Sequence, residues 1–251
     1  MLQNIRLGNI TEDIWEELQR KHQQYNPNKP IDLLLNTTNI VGYRETADKI
    51  NSLVCKALPT IQGKFMISHA IDIINGEQWN TSKTEKTFKS KTNLPALVRL
   101  QQGAKVMYLN NSKANFKVCN GTIGIITDVD IETNSVRVSF NIPDGIIDIN
   151  IKPDTNYFMI NGNHASRCQF PLQNCYALTV YKTQGLTLND ISVSLDDQIF
   201  SPGQAYVALS RCPNWDNIQI AALSRSAFMT DPTVINEYNR LERVAQNPIP
   251  I

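Results

Sequence analysis

An α/β domain interrupted by a small antiparallel β domain is the fold this sequence predicts, and three observations predict it. A strand, turn and helix follow one another near the start. From Leu97 the chain changes to short β-rich segments separated by turn residues. At Tyr176 apolar strand-like runs resume and lead into a helix-like segment. At 251 residues, 41% of them hydrophobic and 19% charged, the chain can bury one large core or two modest ones.

The elements follow in order. Thr11 to His22 places Ile14, Trp15 and Leu18 at helical spacing, with Thr11 as a candidate N-cap and acids in the first turn. Asn26-Pro27-Asn28-Lys29-Pro30 breaks the chain. Ile31 to Leu35 suits a buried strand; a polar turn follows, then a helix from Tyr43 to Leu58 that buries Ala47, Ile50, Val54 and Ala57. Residues 76–94, polar and rich in Lys and Thr, read as a flexible insertion. Strands are expected over Lys105–Leu109, Ile123–Val129, Ser135–Phe140 and Ile146–Ile151, with turns at Asn120-Gly121, Thr133-Asn134 and Pro143-Asp144-Gly145. That succession has the shape of a small antiparallel barrel. Further strands are expected over Tyr176–Tyr181 and Ile191–Leu195, a helix over Gly203–Ser210, and a last helix near Val234–Val244 before a Pro-rich tail.

Composition excludes several classes. The net charge of +1 provides no global basic field, so a nucleic-acid surface must be a local groove. Five widely spaced cysteines, with no Cys-x-x-Cys pair, argue for a reducing compartment rather than a disulfide framework. The first residues contain no apolar signal region, and no run has the length of a membrane span. The expectation is an intracellular protein without a membrane partner, whose sequons at Asn36 and Asn120 stay unmodified. His164, Cys168 and Cys175 fit no common zinc spacing and read as packing residues. Lys83, Lys86, Lys89 and Lys91 read as a solvated basic stretch, and the three tryptophans are too scattered to form a stacking platform.

Two segments carry chemistry. In Tyr176-Ala177-Leu178-Thr179-Val180-Tyr181-Lys182-Thr183-Gln184-Gly185-Leu186-Thr187 an apolar strand runs into a polar loop. Its Gly permits close backbone approach, its amides and hydroxyls can donate to phosphate, and its Lys adds charge. By chemistry alone this is either an anion site or a plain strand-to-helix turn. Gly203-Gln204-Ala205-Tyr206-Val207-Ala208-Leu209-Ser210-Arg211 is apolar and ends in one Arg, either a helix-dipole partner or a catalytic cation.

Together, in this order, the two segments resemble motifs V and VI of superfamily 1 helicases of the Pif1 and RecD kind, which read His-Lys-Ser-Gln-Gly-Leu-Thr and Gly-Gln-x-Tyr-Val-Ala-Leu-Ser-Arg. Gln169-Phe170-Pro171-Leu172, Leu100-Gln101-Gln102-Gly103-Ala104-Lys105-Val106-Met107, Asn120-Gly121-Thr122-Ile123-Gly124 and Asn4-Ile5-Arg6-Leu7-Gly8 with Thr11-Glu12 resemble further landmarks of that family. The resemblance implies a RecA-like helicase domain 2A, built on a parallel sheet, with an inserted SH3-like barrel called 2B. The implied segments are 1–30, a remnant of the first motor domain; 31–96, the first part of 2A; 97–165, the 2B insertion; 166–230, the second part of 2A; and 231–251, a C-terminal helix and tail.

The family clamps ATP and magnesium between two RecA-like domains and steps 5′-to-3′ along single-stranded DNA, in repair, recombination and telomere maintenance. The resemblance thus implies a nuclear or mitochondrial protein if the source is eukaryotic. Arg211 takes the place of the arginine finger on the γ-phosphate. Gln184 and Gly185 take the place of nucleotide-cleft residues, and Lys182 and Thr183 that of contacts to the DNA backbone. Gln204 and Tyr206 are implied to hold motif VI in place. Tyr181 stands where many relatives have His; it can stack or donate a hydrogen bond but carries no charge, so it is a DNA-binding residue or a packing residue.

The sequence contains no Gly-x-x-x-x-Gly-Lys-[Ser/Thr], and no apolar strand ending in paired acids precedes motif V. The chain alone is therefore expected to bind neither ATP nor magnesium and to hydrolyse nothing. The first RecA-like domain, in cis or in trans, is the implied partner, and the chain is either a truncated form of a longer enzyme or a degenerate copy. The alternatives are a non-catalytic single-strand-binding protein derived from a helicase, or a protein-interaction module built on the barrel.

Overall fold

The computed structural model describes residues 1–28 and 35–246. They form two compact units, Met1–Ile50 with the chain from Tyr176 onward, and Asn51–Cys175.

The first unit opens with helices α1 (Leu2–Arg6) and α2 (Glu12–Gln23). Thr11 occupies the N-cap of α2 with extended backbone, although its hydroxyl does not cap. Glu12 and Asp13 in the first turn and Arg20, Lys21 and His22 in the last complement the helix dipole. Ile14 and Leu18 are buried. Lys21 donates to the Trp215 and Asp216 carbonyls at 2.8 and 3.3 Å, His22 Nδ1 donates to the Ile220 carbonyl at 3.0 Å, and Trp215 Nε1 donates to Glu17 at 2.7 Å. These residues, expected as a remnant of another domain, are thus bonded into the first unit.

Of the strand expected over Ile31–Leu35, all but Leu35 lies outside the described residues, and Leu35 itself is helical. The strand of the βα unit is β1 (Thr38–Val41), where a polar turn was expected. β-Branched Thr38, Ile40 and Val41 make it, and Asn39 is accommodated because its side chain donates to the Tyr176 carbonyl at 3.0 Å. Helix α3 (Arg44–Ala57) follows. It buries Ala47 and Val54 as expected, and Ile50 packs partly buried against Val41, Ala47 and Ala177. Ala57 is exposed; the buried stripe passes instead through Asn51, Cys55 and Leu58.

The second unit is antiparallel β. Strands β2 (Phe65–His69), β3 (Ile71–Ile74) and β4 (Glu77–Trp79) come first. The β3–β4 turn is Asn75-Gly76, both with positive φ (50° and 86°), as a tight hairpin of this kind requires. Helix α4 (Thr81–Phe88) is capped by Asn80, whose side chain accepts from the Ser82 amide at 2.9 Å. Residues 76–94 are therefore folded rather than a flexible insertion. They are anchored by Phe88, which is fully buried against Ile160 and Ala165 and meets Phe158 edge-on at 5.0 Å.

Strands β5 (Leu97–Gln101), β6 (Lys105–Tyr108), β7 (Ile123–Asp130), β8 (Ser135–Ile142), β9 (Gly145–Ile151), β10 (Asp154–Ile160), β11 (Asn163–Gln169) and β12 (Leu172–Asn174) complete the unit. The described strands form three antiparallel sheets, ordered β12-β6-β7-β8-β9, β10-β11-β3-β4 and β2-β5. The strands expected from Lys105 to Ile151 lie side by side in the first of these. Strand β11 pairs with β3, Arg167 opposite Asp72, and β3 with β4, so residues 71–79 join the same sheet.

The Arg167–Asp72 pair is also a buried ion bridge within the unit. Arg167, 1% exposed, donates through Nε and Nη2 to the two carboxylate oxygens of Asp72 at 2.7 and 2.8 Å. Its Nη1 reaches the Leu94 carbonyl at 3.2 Å and Glu85 at 3.0 Å, and its guanidinium lies 5.2 Å from the Phe88 ring. One cation thereby joins β11, β3 and α4.

The chain then returns to the first unit through β13 (Ala177–Thr179), β14 (Ile191–Leu195), α5 (Gln204–Leu209), β15 (Ile218–Leu223) and α6 (Pro232–Gln246). The strand expected over Tyr176–Tyr181 ends at Thr179 and continues as a 3₁₀ turn, Val180–Thr183. The four strands form an all-parallel sheet, β13-β1-β14-β15. Ile40, Ile191, Val193, Leu195 and Ile220 are fully buried, the near-continuous apolar character that a parallel sheet covered on both faces demands. Helix α6 starts with Pro232 in its first turn, after Asp231 accepts from the Thr233 amide and hydroxyl. Most of the Pro-rich tail lies outside the described residues. No helix among the described residues is long and apolar enough to cross a membrane.

Replacing Arg167 by Met leaves Asp72 buried without its cation, which should lower the unfolding free energy by about 3–5 kcal/mol. The paired change Arg167→Met with Asp72→Leu should regain much of that loss. Urea denaturation of the three proteins checks this; equal midpoints for the parent and Arg167→Met would remove the bridge as a determinant of the fold.

Candidate functional site

Because the four strands of the first unit are parallel, the loops after β13, β1 and β14 emerge at one edge of the sheet, the edge where α/β folds bind ligands. Val41 pairs with Thr179, so the two chains leave the sheet in register.

The loop after β13 is a tight structure. The Gln184 amide donates to the Tyr181 carbonyl at 3.4 Å and the Leu186 amide to the Thr183 carbonyl at 3.0 Å. Gly185 completes it at φ +79°, a conformation that strains an L side chain even though no neighbour lies within 4 Å of where a Cβ would sit. Tyr181, Gln184 and Gly185 are exposed. Thr183, expected to donate to DNA, is fully buried, and its hydroxyl donates to the Val180 carbonyl at 2.7 Å. Its side chain braces the turn from inside.

Lys182 sits low in this loop. Burial, assisted by the neighbouring Arg44 cation and opposed by Asp48, brings its ammonium down to about 8. A lysine titrating there is a charge that moderate alkalinity removes.

Arg211 lies against the same loop. Its Nη1 donates to the Thr183 and Leu186 carbonyls, both at 3.4 Å; Nε donates to the Val207 carbonyl at 2.9 Å and Nη2 to Ser210 Oγ at 2.8 Å. The Leu188 amide returns a bond to the Arg211 carbonyl at 2.9 Å. The two chemistry-bearing segments read from the sequence are therefore one site, with Gln184 and Gly185 on the turn whose carbonyls the guanidinium touches.

Gln204 is a holding residue. Buried at the start of α5, it accepts through Oε1 from the Phe200 and Ser201 amides at 3.0 and 3.3 Å, fixing the loop after β14. The Arg6 guanidinium carbon lies 5.8 Å from the Tyr206 ring centroid and 4.2 Å from that of Tyr238.

Two residues that the sequence pattern does not single out complete the edge. Tyr43, immediately after β1, stacks on Phe200, with centroids 5.5 Å apart and planes within 8°; Tyr181 lies 6.3 Å from Phe200. The packing that permits this is at Gly42, where a Cβ would come within 1.8 Å of the Gln198 carbonyl oxygen. Nothing local to Tyr43 or Phe200 in the sequence links the two.

Cys175, considered as a metal ligand, is fully buried, and burial pushes its thiol up to about 12. Among the described residues no three His, Cys, Asp or Glu side chains are grouped to hold a metal ion.

No family model matches the chain. The ATP-dependent DNA helicase Pif1 of Xenopus laevis is 27% identical over 244 residues, which is 97% of this chain and 36% of that protein. The crystal structure of Pif1 helicase from Candida albicans superposes with a TM-score of 0.76 at 26% identity, covering 96% of this chain and 56% of that one. Bacteroides Pif1 bound to single-stranded DNA shares the fold, with a TM-score of 0.71 at 23% identity, over 98% of this chain and 53% of that one. The chain thus spans about a third of the Xenopus relative and about half of the two crystallised chains. In sequence and in fold, along nearly its whole length, the chain is similar to a part of the Pif1-type ATP-dependent DNA helicases.

Proposed function

We propose that this chain is the finger-bearing half of a Pif1-type helicase motor. The first unit acts as domain 2A, and strands within the second act as the SH3-like 2B insertion. The observation that carries the reading is the contact between Arg211 and the turn holding Lys182, Gln184 and Gly185, at the ligand-binding edge of a parallel sheet. Arg211 stabilises charge on the γ-phosphate, its planar fork suiting two phosphate oxygens at once. Its bonds to the Thr183 and Leu186 carbonyls are long, so exchanging them for charge-assisted bonds to phosphate is favourable. That exchange would free two carbonyls of the loop that meets DNA, which ties the nucleotide's state to the loop's conformation.

Gln184 and Gly185 line the nucleotide cleft, Lys182 is a point charge for the single-strand backbone, Tyr181 meets the strand from its exposed position, and Thr183 braces them. Magnesium and the β- and γ-phosphates are the province of a first RecA-like domain, in cis or in trans, since the chain's sequence has no phosphate-gripping Gly-x-x-x-x-Gly-Lys-[Ser/Thr]. The same absence favours a second reading, in which the chain holds single strands without hydrolysis. Saturable binding in the absence of nucleotide, together with no gain of ATPase activity on supplying the other domain, would select it.

A chimera joining this chain to the region of Candida albicans Pif1 outside the matched segment should hydrolyse ATP in a DNA-stimulated manner. Arg211→Ala should lower its turnover by roughly a thousandfold, and Arg211→Lys should not restore it. An alanine variant as fast as the parent means Arg211 is not the finger.

Binding to single-stranded DNA should weaken as pH rises from about 7 to about 9, because the Lys182 ammonium loses its proton near 8 while ordinary lysines stay charged. Lys182→Gln should bind more weakly at the lower pH and show a flatter profile, and Arg44→Gln should move the midpoint upward. For stability the sign is opposite. A lysine with a depressed folded value favours the folded state when neutral, so that contribution is present above the ordinary lysine value and lost as pH falls through about 8. Fluorescence anisotropy across the range reads the binding; a profile identical in the parent and Lys182→Gln rules the lysine out as the contact.

A further inference from the structure

We infer that Tyr43, Phe200 and Tyr181 form a base-stacking step for single-stranded DNA. The inference rests on the single-strand reading above and extends it from backbone contact to contact with the bases. The three rings come from three adjacent loops, after β1, β14 and β13 respectively. They are 47%, 51% and 53% exposed, although they contact one another. Three aromatic rings left half in water at one spot forgo burial that a folding chain ordinarily gains, and they leave open a π-rich surface, with Tyr43 and Phe200 parallel and Tyr181 tilted 51° to Phe200.

The surroundings favour a nucleobase over another apolar occupant. Lys182 directly follows Tyr181 and Arg44 directly follows Tyr43, and Arg44 is close enough to Lys182 to depress its titration. Cations next to the rings in sequence match the two parts of a nucleotide, phosphate and base, whereas an apolar protein surface would leave two charges to be desolvated. The arrangement is held firmly, by the contact of Gly42 with the Gln198 backbone and by Gln204 on the Phe200 amide. Every base has a π-face, so such a step would be tolerant of sequence, as a tracking motor needs.

The test measures equilibrium binding of the full chain to an oligothymidylate and to an abasic oligonucleotide of equal length and charge. The parent should prefer the oligothymidylate by roughly tenfold. Tyr43→Leu and Phe200→Leu, which keep apolar bulk but not the π-face, should erase most of that preference while leaving abasic binding and its salt dependence unchanged. Phe200→Tyr and Tyr43→Phe should retain it. Equal parental affinity for the two oligonucleotides overturns the stacking step while sparing the single-strand reading. Equal loss on both ligands in the leucine variants, with circular dichroism intact, shows the rings only shape the loops and also overturns it. No binding to either by the parent removes the single-strand reading and this inference with it.

Discussion

The parallel pairing of β1 between β13 and β14 is the constraint from which the rest of the first unit follows. Strand β1 is four residues long, and the strands it joins lie far along the chain, beyond the whole of the second unit. Loop-closure entropy opposes such a pairing, and it holds because the strands are buried on both faces and the Asn39 side chain finds the Tyr176 carbonyl. Once made, the pairing aims three loops in one direction. The motif V turn, the Gly42-Tyr43 junction and the Phe200 loop become neighbours only through it.

Burial alters the chemistry at that edge. Lys182 is lowered toward neutrality by the same packing that shapes its loop, with Arg44 adding repulsion. Arg211 is held at the turn by the Val207, Thr183 and Leu186 carbonyls. The second unit uses the opposite device. There Arg167 is committed to Asp72 in a bidentate, nearly solvent-free pair, which suits a fixed structural link between strands.

Features that depend on neighbours in sequence were legible. The strands from Lys105 to Ile151, the helices containing Ile14 and Leu18 and containing Ala47 and Val54, and the two motif segments all declare themselves within a few residues. The misreadings share one cause. Residues 76–94 looked mobile because Lys and Thr dominate them, yet Phe88 and the Asn75-Gly76 turn tie them to strands far along the chain. Thr37-Thr38-Asn39 looked like a turn because Asn39 is polar, and its partner carbonyl belongs to Tyr176. Thr183 looked like a donor to a ligand because a hydroxyl in a polar loop is ordinarily exposed; here it turns inward to Val180.

Contiguous residues were enough to specify the order of α and β segments, the turn residues, and the pair of motifs that resemble those of the Pif1-type helicases, because the chemistry of each is intrinsic to its own stretch. Folding was needed to establish that Arg211 touches the Gly185 turn, that Thr183 is internal, that Lys182 titrates near 8, and that Tyr43 meets Phe200. Each of those depends on which distant backbone segments come into register and on how much water remains beside a side chain. Those are properties of the closed sheet and its packing, which no local stretch of residues contains.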